Sequence, residues 1–172
     1  MQEQSKLTRF EQTIIPHLDA AYNLARWLTR SDEDAEDMVQ EAYLRAFKFF
    51  GGYRGGDSRS WLLTIVRNTC YTWFQQNRSL DLTSEFDEET HSVGGDNPET
   101  VLLESANSQM LKQALEELPT EFREVVILRE LEGLSYREIA DITGVALGTV
   151  MSRLARARKR LRLCLITRMK EV

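Results

Sequence analysis

The chain has 172 residues, of which 42% are hydrophobic and 28% are charged, and its net charge is −5. A chain of this size can bury one ordinary core or two small ones. Its apolar runs are too short to cross a bilayer, and its start has no apolar segment of the kind that directs secretion. We therefore expect a protein that stays in the cytoplasm and does not insert into a membrane.

The first part of the chain has a helical period. Apolar residues recur at intervals of three or four positions in three segments, which run from Phe10 to Leu28, from Met38 to Phe50 and from Trp61 to Trp73. Glycines 51, 52, 55 and 56 predict a tight loop between the second and third segments. Three helices packed on one another are the simplest arrangement of these segments.

Residues 79–97 are predicted to form a flexible linker. Between Asp81 and Glu104 there are eight acidic residues and no Lys or Arg, and large apolar residues are few before 98. Asn97 and Pro98 suit the beginning of a helix. The predicted domains are therefore 1–78 and 98–172.

The second domain is also predicted to be helical, which makes the whole chain all-α. One amphipathic helix stops before Pro119, and another ends at Gly133. The remaining residues divide into a short helix, a turn and a long basic helix.

The stretch from Ser135 to Val150 predicts a helix-turn-helix. Ser135 and Glu138 form a capping-box pattern, Ala140 is small enough for a close helix crossing, and Gly144 allows a left-handed turn. Val150 returns an apolar side chain to the crossing. In this arrangement the second helix enters the DNA major groove.

Charge is segregated along the chain. Ser31 to Glu41 holds six acids and no base, Ala42 to Arg78 holds six bases and one acid, and Thr149 to Lys170 holds eight bases and no acid. Solvated helix faces would explain any single block. The alternation favours two nucleic-acid-binding surfaces separated by an acidic spacer. The spacer would keep these surfaces from binding nucleic acid when no partner is present.

The third helix has a polar face with an aromatic ring, a combination that suits unpaired bases but that a solvated helix could also carry. This face comprises Thr64, Asn68, Tyr71, Thr72 and Gln75, with Arg59 and Arg67 nearby.

Neither the cysteines nor the histidines suggest a metal site or an enzyme. Cys70 and Cys164 lie in apolar helical patterns without a CxxC spacing and are interpreted as reduced core residues. His17 and His91 are far apart, and no paired metal-ligand spacing is present. We expect no cofactor, no metal, no small-molecule substrate and no catalytic residue.

Three stretches, taken in order, resemble regions two and four of the bacterial sigma factors of the extracytoplasmic-function type, in the sigma-70 family. They are Asp34-AEDMVQEAYLRAF-Lys48, Tyr53-RGGDSRSWLLTIVRN-Thr69 and Leu118-PTEFREVVILRELEGLSYREIADITGVALGTVMSRLARARKRL-Arg162. The resemblance implies a non-enzymatic protein that binds core RNA polymerase, opens the −10 promoter element with region two and holds the −35 element with region four. It also implies contacts with the β′ clamp coiled coil and the β flap.

The resemblance implies roles for individual residues. The candidates for the β′ contact are Asp37, Gln40 and Glu41, whose acidity would meet a basic partner surface. The candidates for the −10 element are Tyr53, Arg54, Arg67, Asn68 and Tyr71, with Asn68 in the pocket that accepts a flipped base. The candidates for the −35 element are Thr149, Ser152, Arg153, Arg156, Arg158 and Arg160.

The chain departs from the family pattern at Ala146, where many members have Pro, at Ala155, where many have an aromatic residue, and in the loop before Trp61. The promoter sequence therefore cannot be transferred from a relative. The resemblance also implies control by an anti-sigma factor and a role as an alternative, stress-responsive factor.

Two other classes compete with this interpretation. A stand-alone helix-turn-helix repressor or activator would explain the second domain but not the acidic helix or the polar face. It would bind its operator as pure protein, whereas a sigma factor should need core polymerase. An enzyme acting on nucleic acid is disfavoured by the lack of a metal-ligand or catalytic spacing.

Overall fold

The computed structural model describes the backbone of residues 2–81 and 106–171, and the side chains of 3–77 and 108–171. Within these ranges every secondary-structure element is helical, which confirms the all-α prediction. The predicted linker lies outside the described residues from 82 to 97, and so does the predicted helix start at Asn97 and Pro98.

The first unit contains four α-helices. They are α1 (Gln2–Ile14), α2 (Leu18–Thr29), α3 (Asp32–Phe49) and α4 (Ser58–Asp81). Short 3₁₀ turns lie at Ile15–His17, between α1 and α2, and at Phe50–Gly52, after α3. Helix α4 continues to Asp81, so the predicted linker begins, at residue 79, inside this helix.

The single apolar period predicted from Phe10 to Leu28 is interrupted in the structure. Pro16 has no amide hydrogen to donate to a preceding turn, and the chain tightens there into the 3₁₀ turn Ile15–His17. The sequence interpretation missed this break, although proline is its usual cause. The turn is tied to α4 because His17 Nε2 lies 2.8 Å from Ser58 Oγ.

Helix α3 begins where its acidic residues are most favourable. The Ser31 hydroxyl accepts a hydrogen bond from the Asp34 amide at 3.3 Å, and Asp32, Glu33 and Asp34 occupy the first turn. Carboxylates at this end offset the positive end of the helix dipole. Part of the acidic block is therefore explained by helix stability alone.

The core of the first unit forms around Phe10, which is fully buried. Its ring makes edge-to-face contacts with Tyr43, Phe47 and Phe50 at centroid distances of 5.0, 5.2 and 5.3 Å. These contacts connect α1 with α3 and with the turn that leads toward α4.

The second unit consists of α5 (Ala106–Glu117), α6 (Thr120–Val126), α7 (Tyr136–Thr143) and α8 (Leu147–Glu171). A π-helical turn, Ile127–Leu131, continues directly from α6. Its core includes Leu118, Ile127, Leu128, Leu134, Ile139, Val150 and Leu154.

The predicted helix-turn-helix is formed by α7 and α8. Ser135 and Glu138 exchange two hydrogen bonds of 3.1 Å, as the capping-box pattern predicts. Gly144 ends α7 with φ of 72°, the left-handed conformation that glycine adopts without strain. Val150 is fully buried between the helices, so the local geometry agrees with the sequence pattern.

The two cysteines differ in burial. Cys70 is fully buried, as predicted, but Cys164 is partly exposed and its thiol contacts a Glu117 carboxylate oxygen at 3.4 Å. The prediction that Cys164 is a core residue is therefore wrong, because its side of α8 faces α5 at the edge of the unit. No helix in the described ranges is long and apolar enough to cross a membrane.

Candidate nucleic-acid interface

The polar candidates on α3 share one exposed face. Asp37, Gln40 and Glu41 are all exposed. The Glu41 carboxylate accepts a hydrogen bond of 2.8 Å from Arg45 one turn later, which partly neutralises it. Asp37 and Gln40 are therefore the members of this face best placed to meet a partner.

An apolar cleft of about 370 Å³ lies directly beside this face. It is lined by Leu18, Val39, Gln40, Tyr43 and Leu44, and Leu44 is 67% exposed. The sequence interpretation missed the cleft as a feature of the site. Its signal was Leu44, an apolar residue outside the buried helical period of α3.

The loop before α4 is held by Tyr53. Its ring stacks on Phe50 at a centroid distance of 5.7 Å and lies 5.1 Å from Trp61, and its hydroxyl donates to the Gly56 carbonyl at 2.8 Å. Arg54, the next residue, is exposed. The structure therefore anchors Tyr53 in an aromatic cluster and leaves Arg54 free to reach a ligand.

The loop ends in a cap on α4. The Asp57 carboxylate accepts hydrogen bonds from the Ser60 amide at 3.2 Å and the Ser60 hydroxyl at 2.7 Å. These hydrogen bonds from Ser60 hold the pKa of Asp57 below its ordinary value. Asp57 thus fixes the start of the helix that carries the candidate −10 residues.

The −10 candidates on α4 do not share one environment. Asn68 is exposed, whereas Arg67 and Tyr71 are partly buried against each other, with the guanidinium carbon 3.7 Å from the ring centroid. Burial and the neighbouring carboxylate of Glu124 raise the pKa of Tyr71. Two of the candidate residues are therefore covered in this arrangement of the chain.

The group that covers them is Glu124 of α6, in the second unit. Its side chain is fully buried, and its two carboxylate oxygens accept hydrogen bonds from Arg67 Nε and Nη2, both at 3.3 Å. Burial raises the pKa of Glu124, against the opposing effect of Arg67. Burial alone would lower the pKa of Arg67, but the Glu124 carboxylate raises it.

The residue before Glu124 joins the units through backbone groups. Arg123 is 1% exposed, and its guanidinium donates to the Trp27 carbonyl at 2.6 Å and the Leu28 carbonyl at 3.4 Å. It also donates to the carbonyls of Glu116 and Leu118 at 3.1 and 2.8 Å. These carbonyls lie in the last turn of α2 and at the end of α5, where helices lack intrahelical donors and favour a cation.

Two further polar contacts join the two units beside Arg123 and Glu124. Asn23 Nδ2 donates to Glu132 Oε1 at 3.1 Å, and Ser60 Oγ lies 3.3 Å from Glu138 Oε2. The second contact links the first turn of α4 to the cap of α7. Sequence reasoning missed Arg123 and Glu124; the available signal was a charged pair placed between the apolar residues Phe122 and Val125.

On the basic helix α8, the −35 candidates divide into two groups. At about 100° per residue, most of them fall on one continuous arc that adjoins the buried face of the helix. This arc contains Thr149, Ser152, Arg153, Arg156 and Arg160. Arg158 lies on the other side of the helix, where its Nη2 donates to Glu130 at 2.8 Å.

Within the arc, Ser152 and Arg156 are exposed, whereas Arg153 is half-buried and close enough to Glu124 for its charge to lower that carboxyl's pKa. The guanidinium of Arg160 lies 5.1 Å from the Phe122 ring centroid. Arg156 is therefore the most accessible arginine of the arc near the start of the helix.

No metal-binding cluster accompanies these surfaces in the described residues. None of the His, Cys, Asp and Glu side chains there form a group of three or more that could hold a metal ion. The geometry instead defines an all-helical protein with a helix-turn-helix, a basic recognition arc and a separate acidic and apolar face.

Comparisons with known proteins identify the family to which the chain belongs. Residues 14–80 match the family model for sigma-70 region 2, and residues 108–161 match the model for sigma-70 region 4. The chain belongs to the extracytoplasmic-function sigma factors of the sigma-70 family, a family of transcription initiation factors.

Two relatives illustrate the similarity. The chain is 34% identical over 161 residues to the ECF RNA polymerase sigma factor SigE of Mycolicibacterium smegmatis. The aligned region covers 93% of this chain and 63% of that protein. It is 36% identical over 135 residues to the ECF RNA polymerase sigma-E factor of Escherichia coli K12. Here the aligned region covers 73% of this chain and 71% of the relative. The chain thus spans less than two thirds of the mycobacterial relative.

Solved structures agree on the fold. The sigma factor RpoE of Bartonella quintana, in complex with the anti-sigma factor NepR, matches with a TM-score of 0.74 and 31% identity over 91% of this chain and 96% of that one. CnrH, in complex with the cytosolic domain of CnrY, matches with a TM-score of 0.65 and 22% identity over 92% and 88% of the two chains. The second match supports the fold alone.

Proposed function

We propose that this sigma factor binds core RNA polymerase and directs it to promoters as an alternative factor. The observation that carries the proposal is the presence of two separate surfaces in one chain. The helix-turn-helix of α7 and α8 offers a basic arc for DNA, and α3 offers an exposed acidic face beside an apolar cleft. A simple DNA-binding regulator has no use for the second surface.

The α3 face is proposed to bind the β′ clamp coiled coil. Asp37, Gln40 and Glu41 would meet basic and polar groups of the polymerase, and the cleft beside Gln40 would take an apolar side chain. A polar face adjoining an apolar anchor is typical of protein interfaces, in which a central pocket supplies most of the affinity. Electrostatic attraction would contribute mainly to the rate and orientation of binding.

The second unit is proposed to hold the −35 element. The start of α8 would enter the major groove, with Ser152, Arg153 and Arg156 reaching base edges. Thr149 lies at the start of the helix, where backbone amides favour phosphate. Arg158 and Arg160 have partners within the chain, so we expect them to contribute less to base recognition.

The first unit is proposed to melt and hold the −10 element. Asn68 is exposed on α4 and would hydrogen-bond a flipped base, while Arg54 of the preceding loop would contact the backbone. Unstacking a base costs a few kcal/mol, which stacking and hydrogen bonds in the pocket must offset. Tyr53, Arg67 and Tyr71 complete the proposed −10 surface, and the last two are covered in the structure described here.

An anti-sigma factor is the further partner that we propose, together with contacts to the β flap through the second unit. The support is the match to RpoE, a structure solved as a complex with NepR.

The domain limits 1–78 and 98–172, with 79–97 between them, are part of the same proposal. Since core polymerase acts in the bacterial cytoplasm, the proposed location is cytoplasmic.

Capture of the chain by immobilised core polymerase tests the proposal. Wild-type protein should bind, and Asp37→Arg combined with Gln40→Ala should reduce binding by about tenfold or more, because a reversed charge and a lost polar contact fall on one small face. Glu171→Arg, at the exposed end of α8, is the matched charge control and should bind as wild type. Equal capture of all three proteins would contradict the proposed contact.

A further inference from the structure

We propose that, in the free chain, the second unit packs against the candidate −10 surface of the first unit. It is held there by a latch formed by Arg123 and Glu124 of α6. The latch covers Arg67 and Tyr71 until the two units separate. The inference rests on the proposed function for the −10 surface, but the contact between the units can be measured independently of it.

Charge is buried at the contact between the two units. Glu124 is fully buried and Arg67 is largely buried, with a side-chain exposure of 16%. A buried carboxylate and guanidinium are tolerated only when each satisfies the other, and removal of one leaves an uncompensated charge. The two-point geometry of Arg67 on Glu124 meets this condition, so the pair specifies one arrangement of the units rather than a loose encounter.

Arg123 binds backbone carbonyls of both units. Its guanidinium donates to the final carbonyls of α2, which belong to the first unit, and to those of α5, which belong to its own. Separation of the units removes the Trp27 and Leu28 acceptors and leaves part of a buried guanidinium without partners unless water replaces them. Arg123 therefore also favours the closed arrangement.

The latch binds at residues that are candidates for DNA contacts. Glu124 occupies Arg67, which stacks on Tyr71, and its charge also reaches Arg153 of the recognition helix. A single carboxylate thus faces candidate −10 and −35 residues at once, in the place where DNA phosphates would bring negative charge. Asn68 and Arg54 remain exposed, so the latch covers part of the surface and leaves another part for an initial encounter.

The consequence is competition between the latch and DNA for Arg67. The charge pattern favours an acidic spacer that keeps DNA off the two surfaces when no partner is bound. The structure assigns part of that role to an acid within the second unit. The closed chain should bind single-stranded DNA weakly, and loss of the Glu124 charge should shift the population toward an open form.

The experiment measures the separation of the units in the full chain by fluorescence resonance energy transfer. Dyes are attached at Glu33→Cys and Lys170→Cys, two exposed positions in different units, in a Cys164→Ser background. Glu124→Gln should raise the ratio of open to closed molecules about tenfold or more, because it leaves Arg67 without a counter-charge. Glu121→Gln, an exposed acid on the same helix, is the matched control and should not change the ratio.

A charge exchange guards against simple misfolding. Glu124→Arg should open the chain by opposing Arg67, and Arg67→Glu added to it should close the chain again. Circular dichroism confirms that each variant is folded. Unchanged energy transfer in both Glu124 variants, or failure of the exchange to restore closure, would overturn the latch.

A second measurement tests the masking. Fluorescence anisotropy with a short random-sequence single-stranded DNA should show Glu124→Gln binding about fivefold or more tightly than wild type, since freed arginines and rings bind strands by charge and stacking. Opening without this gain would show that the latch does not mask the surface. Failure of polymerase capture with intact energy-transfer results would count against the proposed function and leave the latch standing.

Discussion

Arg67 and Glu124 stand 57 positions apart in the chain, yet they form a two-point ion pair with both hydrogen bonds at 3.3 Å. The pair joins α4 of sigma region two to α6 of sigma region four. It places a buried acid against the helix that carries the candidate −10 residues. The geometry connects the fold of the free chain to the surfaces that promoter DNA would use.

Arg156 and Arg158 lie on different sides of α8, so their replacement should affect promoter binding unequally. Arg156→Ala should weaken binding of holoenzyme to promoter DNA by about tenfold or more, because a major-groove arginine contributes about 1–3 kcal/mol. Arg158→Ala should change binding little, since Arg158 lies on the opposite side of α8 and pairs with Glu130. Gel shifts at a fixed salt concentration measure both. Equal losses would show that the arc is assigned to the wrong side of the helix.

Asn68 should act in DNA opening rather than in polymerase binding. Asn68→Ala should reduce the amount of open complex, because the flipped base loses a hydrogen-bonding partner at an exposed position of α4. Permanganate footprinting measures opening, and a pull-down with core polymerase measures assembly. The prediction fails if both signals fall to the same extent.

The cap on α4 should contribute stability that depends on pH. Asp57→Ala should cost about 1 kcal/mol of unfolding free energy, whereas Asp57→Asn, which can still cap, should cost less. Because hydrogen bonds from Ser60 lower the pKa of Asp57 from its ordinary value, its ionised carboxylate contributes stability above the pH at which an unfolded chain would protonate it. The difference between wild type and Asp57→Ala should shrink as pH falls through the lowered pKa. Urea unfolding across acidic pH measures this, and a difference that grows in acid would contradict it.

The aromatic core of region two should depend on Phe10. Phe10→Ala should lower the free energy of unfolding by about 3–5 kcal/mol, because it removes a fully buried ring and leaves a cavity among three aromatic neighbours. Leu7→Ala, at a position 42% exposed on the same helix, is the control and should cost far less. Urea denaturation compares the two, and similar costs would show that Phe10 is not the centre of this core.

The two cysteines should react very differently in the native protein. Burial, together with the carboxylates of Glu124 and Glu41, raises the pKa of the Cys70 thiol to about 12, so almost no thiolate is present at neutral pH. Cys164 is partly exposed. A maleimide should label about one thiol rapidly, and Cys164→Ser should abolish that labelling. Rapid labelling of Cys70 in this variant would contradict the buried assignment.

Much of the fold could be predicted from the sequence because its signals are local. The helical period of α3, the capping box at Ser135 and the left-handed turn at Gly144 each depend on residues within a few positions of one another. The break at Pro16 is also local, but the apolar period that continues through it hid it. The misassigned Cys164 shows the reverse error, since an apolar sequence neighbourhood does not guarantee burial at the edge of a unit.

The packing of the two units could not be predicted in the same way. The chain contains 22 basic and 27 acidic residues, so a pattern of charges alone permits many long-range pairs. Only the three-dimensional arrangement selects Glu124 as the partner of Arg67, and only burial distinguishes Arg123 from the surface arginines. The division of the −35 candidates around α8 likewise follows from what Arg158 contacts.

Transcription by purified core RNA polymerase on fragmented genomic DNA, with and without this protein, is the decisive measurement for a sigma factor. The protein should bind the core enzyme and confer initiation at a small set of defined start sites, an effect lost in the Asp37→Arg, Gln40→Ala variant. Transcription with unchanged start sites and no capture by the core enzyme would contradict it.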